Sequence, residues 1–411
     1  MVAPFLPDAE KLSAVRTALP ALAAGIYLNT GTAGPLPAET AAAMTEIAVR
    51  ERDVGRGHMD AFEETLIRMA EARAGVAAVI GTDVASVGLG HSTTDAMNTG
   101  TLALDWRAGG RIVTTMHEHL GGTGPLHALR ARGVDVDFVD VGADGDDART
   151  LAAFDAAITP GTRLVSLSHV LWTTGAVMPV AAIAELAHSR GATVIVDGAQ
   201  AAGAIPFRFD ELGVDFYAVP AHKWLLGPEG MGAIVVDPSV LDRLVPGLAG
   251  GFSFELGSNA VDPAWWPDAR RFESSNYHRP SIVGMSRSLG WLSMYVGLEY
   301  VHRTGMARAR AMAQRLEAID GVTVITPLER MATLVTFRIA GWAPEAALEE
   351  LGARVFAIAR TVPGLDAIRL SIGFFNTEEE LERLAEAVEL LAAHTPETLP
   401  PRRRLTIIDG G

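Results

Sequence analysis

The sequence predicts an α/β fold: a large, mostly parallel-sheet domain with helices on both faces, then a smaller α+β C-terminal domain. Three observations lead there. From about Tyr27 to Asp237, short continuous apolar runs alternate with amphipathic, alanine-rich stretches, the pattern of strands buried on both faces and joined by helices. Loops at 250–263 and 265–280, rich in Gly, Pro and aromatic residues, break that rhythm. At 411 residues the chain is too long for one simple core.

The strands of the large domain are expected at 86–89, 111–115, 135–139, 164–167, 193–196, 216–219 and 233–236. Helical patterns separate most of them; one spans 181–190 and ends at Gly191. Beyond the loops, a helix-like stretch runs from Ser281 to about Thr304. Strands at 323–326, 332–339 and 368–372 follow, and a charged helix starts from Thr377. These spans divide the chain into an N-terminal segment packed on the small domain (1–25), a large domain (26–290), a small domain (291–395) and a surface tail (396–411) carrying Arg402, Arg403 and Arg404.

Composition narrows the function. Lys plus Arg number 34 against 49 Asp plus Glu, a net charge of −15, and an acidic surface repels phosphate backbones, so no nucleic-acid partner is expected. There is no cysteine, which removes disulfides, thiolate metal sites and any cysteine nucleophile or persulfide carrier. Met1 to Leu12 has no basic start followed by an apolar stretch, and no run approaches the roughly 20 apolar residues of a membrane span. A cytoplasmic protein with no membrane partner is expected.

Three motifs carry chemistry. In Ala221-His222-Lys223-Trp224-Leu225-Leu226-Gly227-Pro228, Lys223 follows directly on an apolar strand. A buried ammonium there is costly unless it is paired or chemically changed, and desolvation favours the neutral amine that forms a Schiff base. A lysine snorkelling from a strand end is the plainer reading. In Val194-Ile195-Val196-Asp197-Gly198-Ala199-Gln200 an acid ends a buried strand and points into the crevice where α/β proteins bind ligands, although an Asp there also caps helices. Asp197, Gln200 and Lys223 together say more than either motif alone. The third motif, Gly88-Leu89-Gly90-His91-Ser92-Thr93-Thr94-Asp95-Ala96, runs from strand through a Gly/Ser/Thr loop to a helix start and suits a phosphate. It is not a P-loop, because no Lys follows its glycines. His119, after Glu118 on a strand-to-helix loop, is better placed to stack on an aromatic ring than to join His117 in a metal site. No metal is expected.

Together these motifs resemble fold-type I pyridoxal 5′-phosphate (PLP) enzymes, specifically the class V aminotransferase and cysteine desulfurase superfamily, over nearly the whole chain from Tyr27 to about Leu391. The resemblance implies that Lys223 is the Schiff-base lysine and proton carrier, with Asp197 on the pyridine nitrogen and Gln200 near the phenolic oxygen. It places His119 on the ring face and Thr93, Thr94 and His222 at the phosphate. Arg369, in Ile368-Arg369-Leu370-Ser371, matches the arginine that grips the substrate carboxylate. Asn29 lies where the N-terminal segment closes over the substrate. The family builds its sites at a homodimer interface. There Arg271-Phe272-Glu273-Ser274-Ser275-Asn276 looks like the loop donated across, with Asn276 near a phosphate-contacting position.

Some positions depart from the family. Pro220 replaces the usual serine three residues before the lysine. The asparagine that desulfurases often place beside the ring oxygen is replaced within Leu171-Trp172-Thr173-Thr174-Gly175. The missing cysteine removes the sulfur acceptor of desulfurases. The stretches Tyr27-Leu28-Asn29-Thr30-Gly31-Thr32-Ala33-Gly34 and Ser168-His169-Val170-Leu171-Trp172-Thr173-Thr174-Gly175 look more like the cysteine-free carbon–sulfur lyases, of the cystine lyase and ergothioneine-pathway sulfoxide lyase type. A β-lyase releasing pyruvate and ammonia is therefore expected. Amino-acid epimerase or racemase chemistry, as in isopenicillin N epimerase-like members, an aminotransferase, and a non-catalytic binding module are the alternatives. Trp172, Trp224, Tyr277, His278 and Arg279 are candidates for the substrate pocket.

Overall fold

The apolar runs become the strands of one buried sheet. In the computed structural model, which describes residues 7–142, 145–274 and 276–402, a two-residue strand β1 (Ile26–Tyr27) comes first. The seven strands of the large sheet follow: β2 (Val87–Gly90), β3 (Arg111–Thr115), β4 (Asp135–Val139), β5 (Thr162–Ser168), β6 (Thr193–Asp197), β7 (Phe216–Pro220) and β8 (Gly232–Val236). Their spatial order is β2-β8-β7-β6-β5-β3-β4. Every neighbouring pair is parallel except those of β8, which runs antiparallel to β2 and β7. A parallel return needs a crossover element, and residues 221–231 form no helix. The chain therefore turns back on itself at the carboxyl edge of the sheet, and Lys223 lies in that turn.

Alternate residues of each strand feed opposite faces. Val194 and Val196 join the core formed with Met69, Val76 and Ile80 of α3 (Met59–Ile80) and Ile183 and Ala187 of α7 (Val180–Ser189). Ile195 faces the other way, with Ala96 and Met97 of α4 (Thr93–Leu102) and Leu126 and Leu129 of α5 (Leu120–Arg130). A Cβ added at Gly100 of α4 would stand 2.6 Å from Ile195 Cδ1, so that glycine sets how closely the helix lies on the sheet. α6 (Asp147–Ala157) packs beside α7, and α2 (Ala38–Val54) and α3 pack against α8 (Arg279–Gly290).

The helix expected from Ser281 to Thr304 is two helices. α8 passes into a π-helical turn at Trp291–Val296, and the chain breaks at Gly297, whose φ of 88° is open to glycine. Then α9 (Leu298–Glu317) begins. A four-stranded antiparallel sheet follows, ordered β12 (Arg360–Val362), β13 (Ala367–Ser371), β10 (Leu334–Ile339), β9 (Val322–Val324). α9, α10 (Pro344–Val355) and α11 (Glu378–Ala392) cover it. Thr377 caps α11 with a reciprocal bond from Glu380. Ile26 and Leu28 are buried in this second core, and β1 pairs with β11 (Ala357–Ile358). α1 (Asp8–Ala18) docks through Arg16, which reaches Glu380 at 2.7 Å and the Phe375 carbonyl at 2.9 Å. Arg402 pairs with Glu350 at 2.9 Å; Arg403 and Arg404 lie outside the described residues. No helix among the described residues is long and apolar enough to cross a membrane.

The end of β2 is tied down by a buried ion pair. Arg73 of α3 meets both oxygens of Glu273 at 2.7 and 2.8 Å, and Glu273 also accepts the Leu89 N–H at 2.9 Å. Glu273 is 1% exposed. Glu273→Ala strands a buried cation and a backbone donor, and a loss of about 3 kcal/mol of stability is expected. Urea unfolding measures it, with Glu273→Gln, which retains an acceptor, losing less.

Candidate active site

The carboxyl ends of the parallel strands open into one crevice, the place where α/β sheets take ligands. Ser168 ends β5, Asp197 ends β6, and Lys223 and His222 follow β7. They line a cavity of about 230 Å³ with Thr93, Thr94, His119, Trp172, Gln200 and Arg369. Nine of the eleven residues singled out from the sequence thus converge: Thr93, Thr94, His119, Trp172, Asp197, Gln200, His222, Lys223 and Arg369. The other two do not line the cavity. Asn29 bridges to Ser371 behind Gly31 and Thr32, which take the wall position. Asn276 is exposed and borders a separate depression with Arg56, Phe252 and His278.

Of the other pocket candidates, Trp224 is a core residue, 5% exposed and packed on Ala201, Ile205 and Leu334. Tyr277 is also buried, its hydroxyl donating to the Leu89 carbonyl at 2.6 Å. His278 and Arg279 border the same depression as Asn276. Sequence reasoning missed Arg360, which does line the cavity. Antiparallel pairing of β12 with β13 sets it directly opposite Arg369. A strand of three residues leaves too short a pattern to reveal that.

At the floor, Asp197 Oδ1 accepts the Ala199 N–H at 2.8 Å. A Cβ at Gly122 would lie 3.2 Å from Oδ2, and one at Gly121 would lie 2.6 Å from Thr94 Oγ1. The glycine pair lets the start of α5 close over the carboxylate. His119 caps that helix: its Nδ1 accepts the Gly121 N–H at 3.0 Å, which puts the ring proton on Nε2. The Trp172 ring meets it edge-on, with centroids 5.3 Å apart. Burial lowers the Lys223 pKa from 10.5 to about 8; Asp197 opposes that, while Arg369 and Arg360 add to it.

Gln200 has a fixed orientation. Trp224 Nε1 donates to its Oε1 at 2.9 Å, and its Nε2 donates to the Gly31 carbonyl at 2.8 Å. An indole N–H can only donate, so the oxygen faces Trp224 and the remaining amide N–H is left for the cavity.

Among the described residues several buried polar atoms have no partner, and they suit different chemical groups. Thr93 Oγ1 lies where α4 begins, a position suited to an anion, and His222, whose Nδ1 is also unpartnered, lines the same cavity. Pro220 supplies no hydroxyl there. Beside Gly31 stand Ser371 Oγ and Arg369 Nη2, and Asn29 Oδ1, Trp172 Nε1 and Arg369 Nε are likewise without a partner among the described residues. A Cβ at Gly31 would meet Gln200 Oε1 and Ser371 Oγ at 2.8 Å and Arg369 Nη2 at 3.1 Å, so only glycine fits between the two arms of the site. A carboxylate for a pyridinium, a desolvated lysine for an aldehyde and a helix start with spare donors for a phosphate together fit PLP.

The class-V aminotransferase family model matches residues 26–384. A probable cysteine desulfurase of Methanothermobacter thermautotrophicus is 27% identical over 92% of this chain and 97% of its own length. Isopenicillin N epimerase of Streptomyces clavuligerus is 31% identical over 89% of this chain and 94% of its own. Among solved structures, the cystine C–S lyase C-DES with its product cysteine persulfide has a TM-score of 0.84 and 28% identity, over 90% of this chain and 99% of its own. A C-DES lysine-to-alanine variant with glycine covalently linked to its PLP cofactor has a TM-score of 0.85, also at 28% identity, over 91% of this chain and 98% of its own. The chain belongs to the class-V aminotransferase family of fold-type I enzymes, and its cofactor is pyridoxal 5′-phosphate.

Proposed function

We propose that the protein is a carbon–sulfur β-lyase acting on cysteine, cystine or a cysteine S-conjugate or sulfoxide, with release of pyruvate and ammonia. The observation that carries the reading is a desolvated Lys223 beside Asp197 in a chain without cysteine. β-Elimination needs a base at the α-carbon and no thiol on the enzyme. Bound PLP supplies an electron-withdrawing ring that stores the electrons released at that carbon. With PLP bound, Lys223 would take the α-proton, Asp197 would hold the proton on the ring nitrogen, and Gln200 would offer its free N–H to the phenolic oxygen. His119 would cover the ring face, and Thr93, Thr94 and His222 would receive the phosphate. Arg369 grips the substrate carboxylate; Trp172 and the Asn29 segment close around the side chain.

Arg360 adds a second cation. With Arg369 it flanks the Trp172 ring, the guanidinium carbons 5.5 and 5.9 Å from the ring centroid. Two cations suit an amino acid carrying two carboxylates, such as cystine. From cystine and water the products are cysteine persulfide, pyruvate and ammonia. The likeness to C-DES supports this substrate class.

The epimerase reading keeps one specific support, the 31% identity to isopenicillin N epimerase. Reprotonation at the same carbon uses the same lysine. The experiment is to offer PLP-loaded protein cysteine, cystine, cysteine S-conjugates and their sulfoxides. Pyruvate from one of them supports the lyase and identifies the leaving group. No pyruvate, with solvent exchange of the α-proton, transfers the assignment to an epimerase or racemase.

In a homodimer with shared sites, residues 271–274 and Asn276, none of which lines its own cavity, would face the pocket of a second copy. Trp224→Phe is expected to weaken PLP retention roughly fivefold, about 1 kcal/mol, because the Gln200 amide loses the donor that orients it. Cofactor release on dialysis measures this, and the far-ultraviolet spectrum should not change.

A further inference from the structure

Beneath the cavity lies a second carboxyl group that the mechanism above does not use. Glu118 projects from the loop between β3 and α5 and is partly buried. Its two oxygens are held by hydroxyls at the ends of two strands: Thr115 Oγ1 of β3 donates to Oε1 at 2.6 Å, and Ser168 Oγ of β5 donates to Oε2. Neither partner carries charge. Ser168 is itself part of the cavity wall and pairs in register with Asp197 on the next strand. A partly buried carboxylate whose two oxygens are held only by neutral hydroxyls is costly to leave ionised beside Asp197.

We infer that Glu118 is a positioning residue that acts through Ser168 on the Asp197 end of the site, so that its protonation sets the charge felt by the bound cofactor. The groups around it support this. Ser168 and Thr115 face it as neutral hydroxyls, and Asp197 is the charged group that acts on it. On its own loop, His117 and His119 are both driven toward the neutral form, chiefly by burial. Burial is the main cause raising the carboxyl, the two hydroxyls pull it back and Asp197 adds to the rise, which leaves it at about 7. Two carboxyls close together in a poorly solvated site do not both ionise readily. With Asp197 committed to the ring nitrogen, Glu118 carries the proton below about pH 7 and releases it above. Released, it adds negative charge beneath the cofactor and stabilises any cation there, including a protonated Schiff-base nitrogen at Lys223.

The inference rests on Lys223 as the cofactor lysine, and not on which reaction follows. Its test is the pH at which the visible absorbance of the PLP-bound protein changes. Glu118→Gln keeps the shape and a bond to each hydroxyl but removes the charge, and the midpoint should fall by about one pH unit. Glu118→Asp should keep a midpoint near that of the parent. Ser168→Ala removes one donor to the carboxylate and so favours its protonated form. It should move the midpoint the same way by less, and it serves as the second probe should Glu118→Gln fold poorly. A purely structural Glu118 would lower the unfolding temperature of Glu118→Gln and leave the spectral midpoint where it was. That result, or an unmoved midpoint in Ser168→Ala, overturns the inference. Loss of the parent's visible absorbance in Lys223→Ala tests the cofactor lysine separately.

Discussion

Lys223→Ala is expected to lower turnover by about 10⁴-fold, the upper range for loss of a positioned acid–base group, because it also removes the covalent attachment of the cofactor. The expectation follows from where the lysine stands. The turn between β7 and β8 has no crossover helix, so it delivers the side chain to the carboxyl edge of the sheet beside Asp197. Burial then brings its pKa to about 8. In the cofactor-free protein the amine is charged below that pH and neutral above it, so the rate of PLP uptake should rise as pH passes about 8 and then level off. Lys223→Ala should show neither the uptake profile nor the visible absorbance of bound cofactor. A variant that kept both, together with turnover, would remove Lys223 from the mechanism. Lys223→Arg separates charge from chemistry: its guanidinium stays protonated and should be as inactive as the alanine variant.

How much of this was legible in the sequence depended on whether the signal was local. Strands 111–115 and 135–139 have the expected bounds, and the others shift by one or two residues, because an apolar run between polar turns is a local pattern. Asp197 and Lys223 were legible for the same reason, since each stands at the end of such a run. The break at Gly297 was hidden because the apolar pattern continues across it, and the chain turns there on a positive φ after the π-helical turn that ends α8. Trp224 and Trp172 look alike in sequence, yet one is locked in the core by its bond to Gln200 and the other faces the cavity. Arg360 and Glu118 act through partners on other strands, Arg369 and Ser168. Chain order carries no trace of either pairing.

Arg369→Ala is expected to raise the KM for the amino-acid substrate by about 10³-fold, the worth of two charge-assisted hydrogen bonds in a buried site, roughly 4 kcal/mol. Arg369 is 1% exposed, and one of its nitrogens is already spent: Nη1 donates to the Trp172 carbonyl at 2.8 Å, which fixes the plane of the guanidinium. Nε and Nη2, the two nitrogens that form a fork, have no partner among the described residues. Burial, with Arg360 adding to it, pulls the group down toward about 9, so the protein itself leaves the charge poorly compensated. A substrate carboxylate completes it. Arg369→Lys keeps a cation but loses the fork and the anchor to Trp172, so it should recover little of the lost affinity. Arg360→Ala separates substrates: it should cost tenfold or more in KM for cystine, with its second carboxylate, and far less for cysteine. Stability should move the other way. Arg369→Met removes a buried, poorly paired cation and should raise the unfolding temperature of the substrate-free protein. A site that gains stability on losing Arg369 holds the residue for its ligand and not for its fold, and the two measurements together distinguish a substrate-gripping arginine from a structural one.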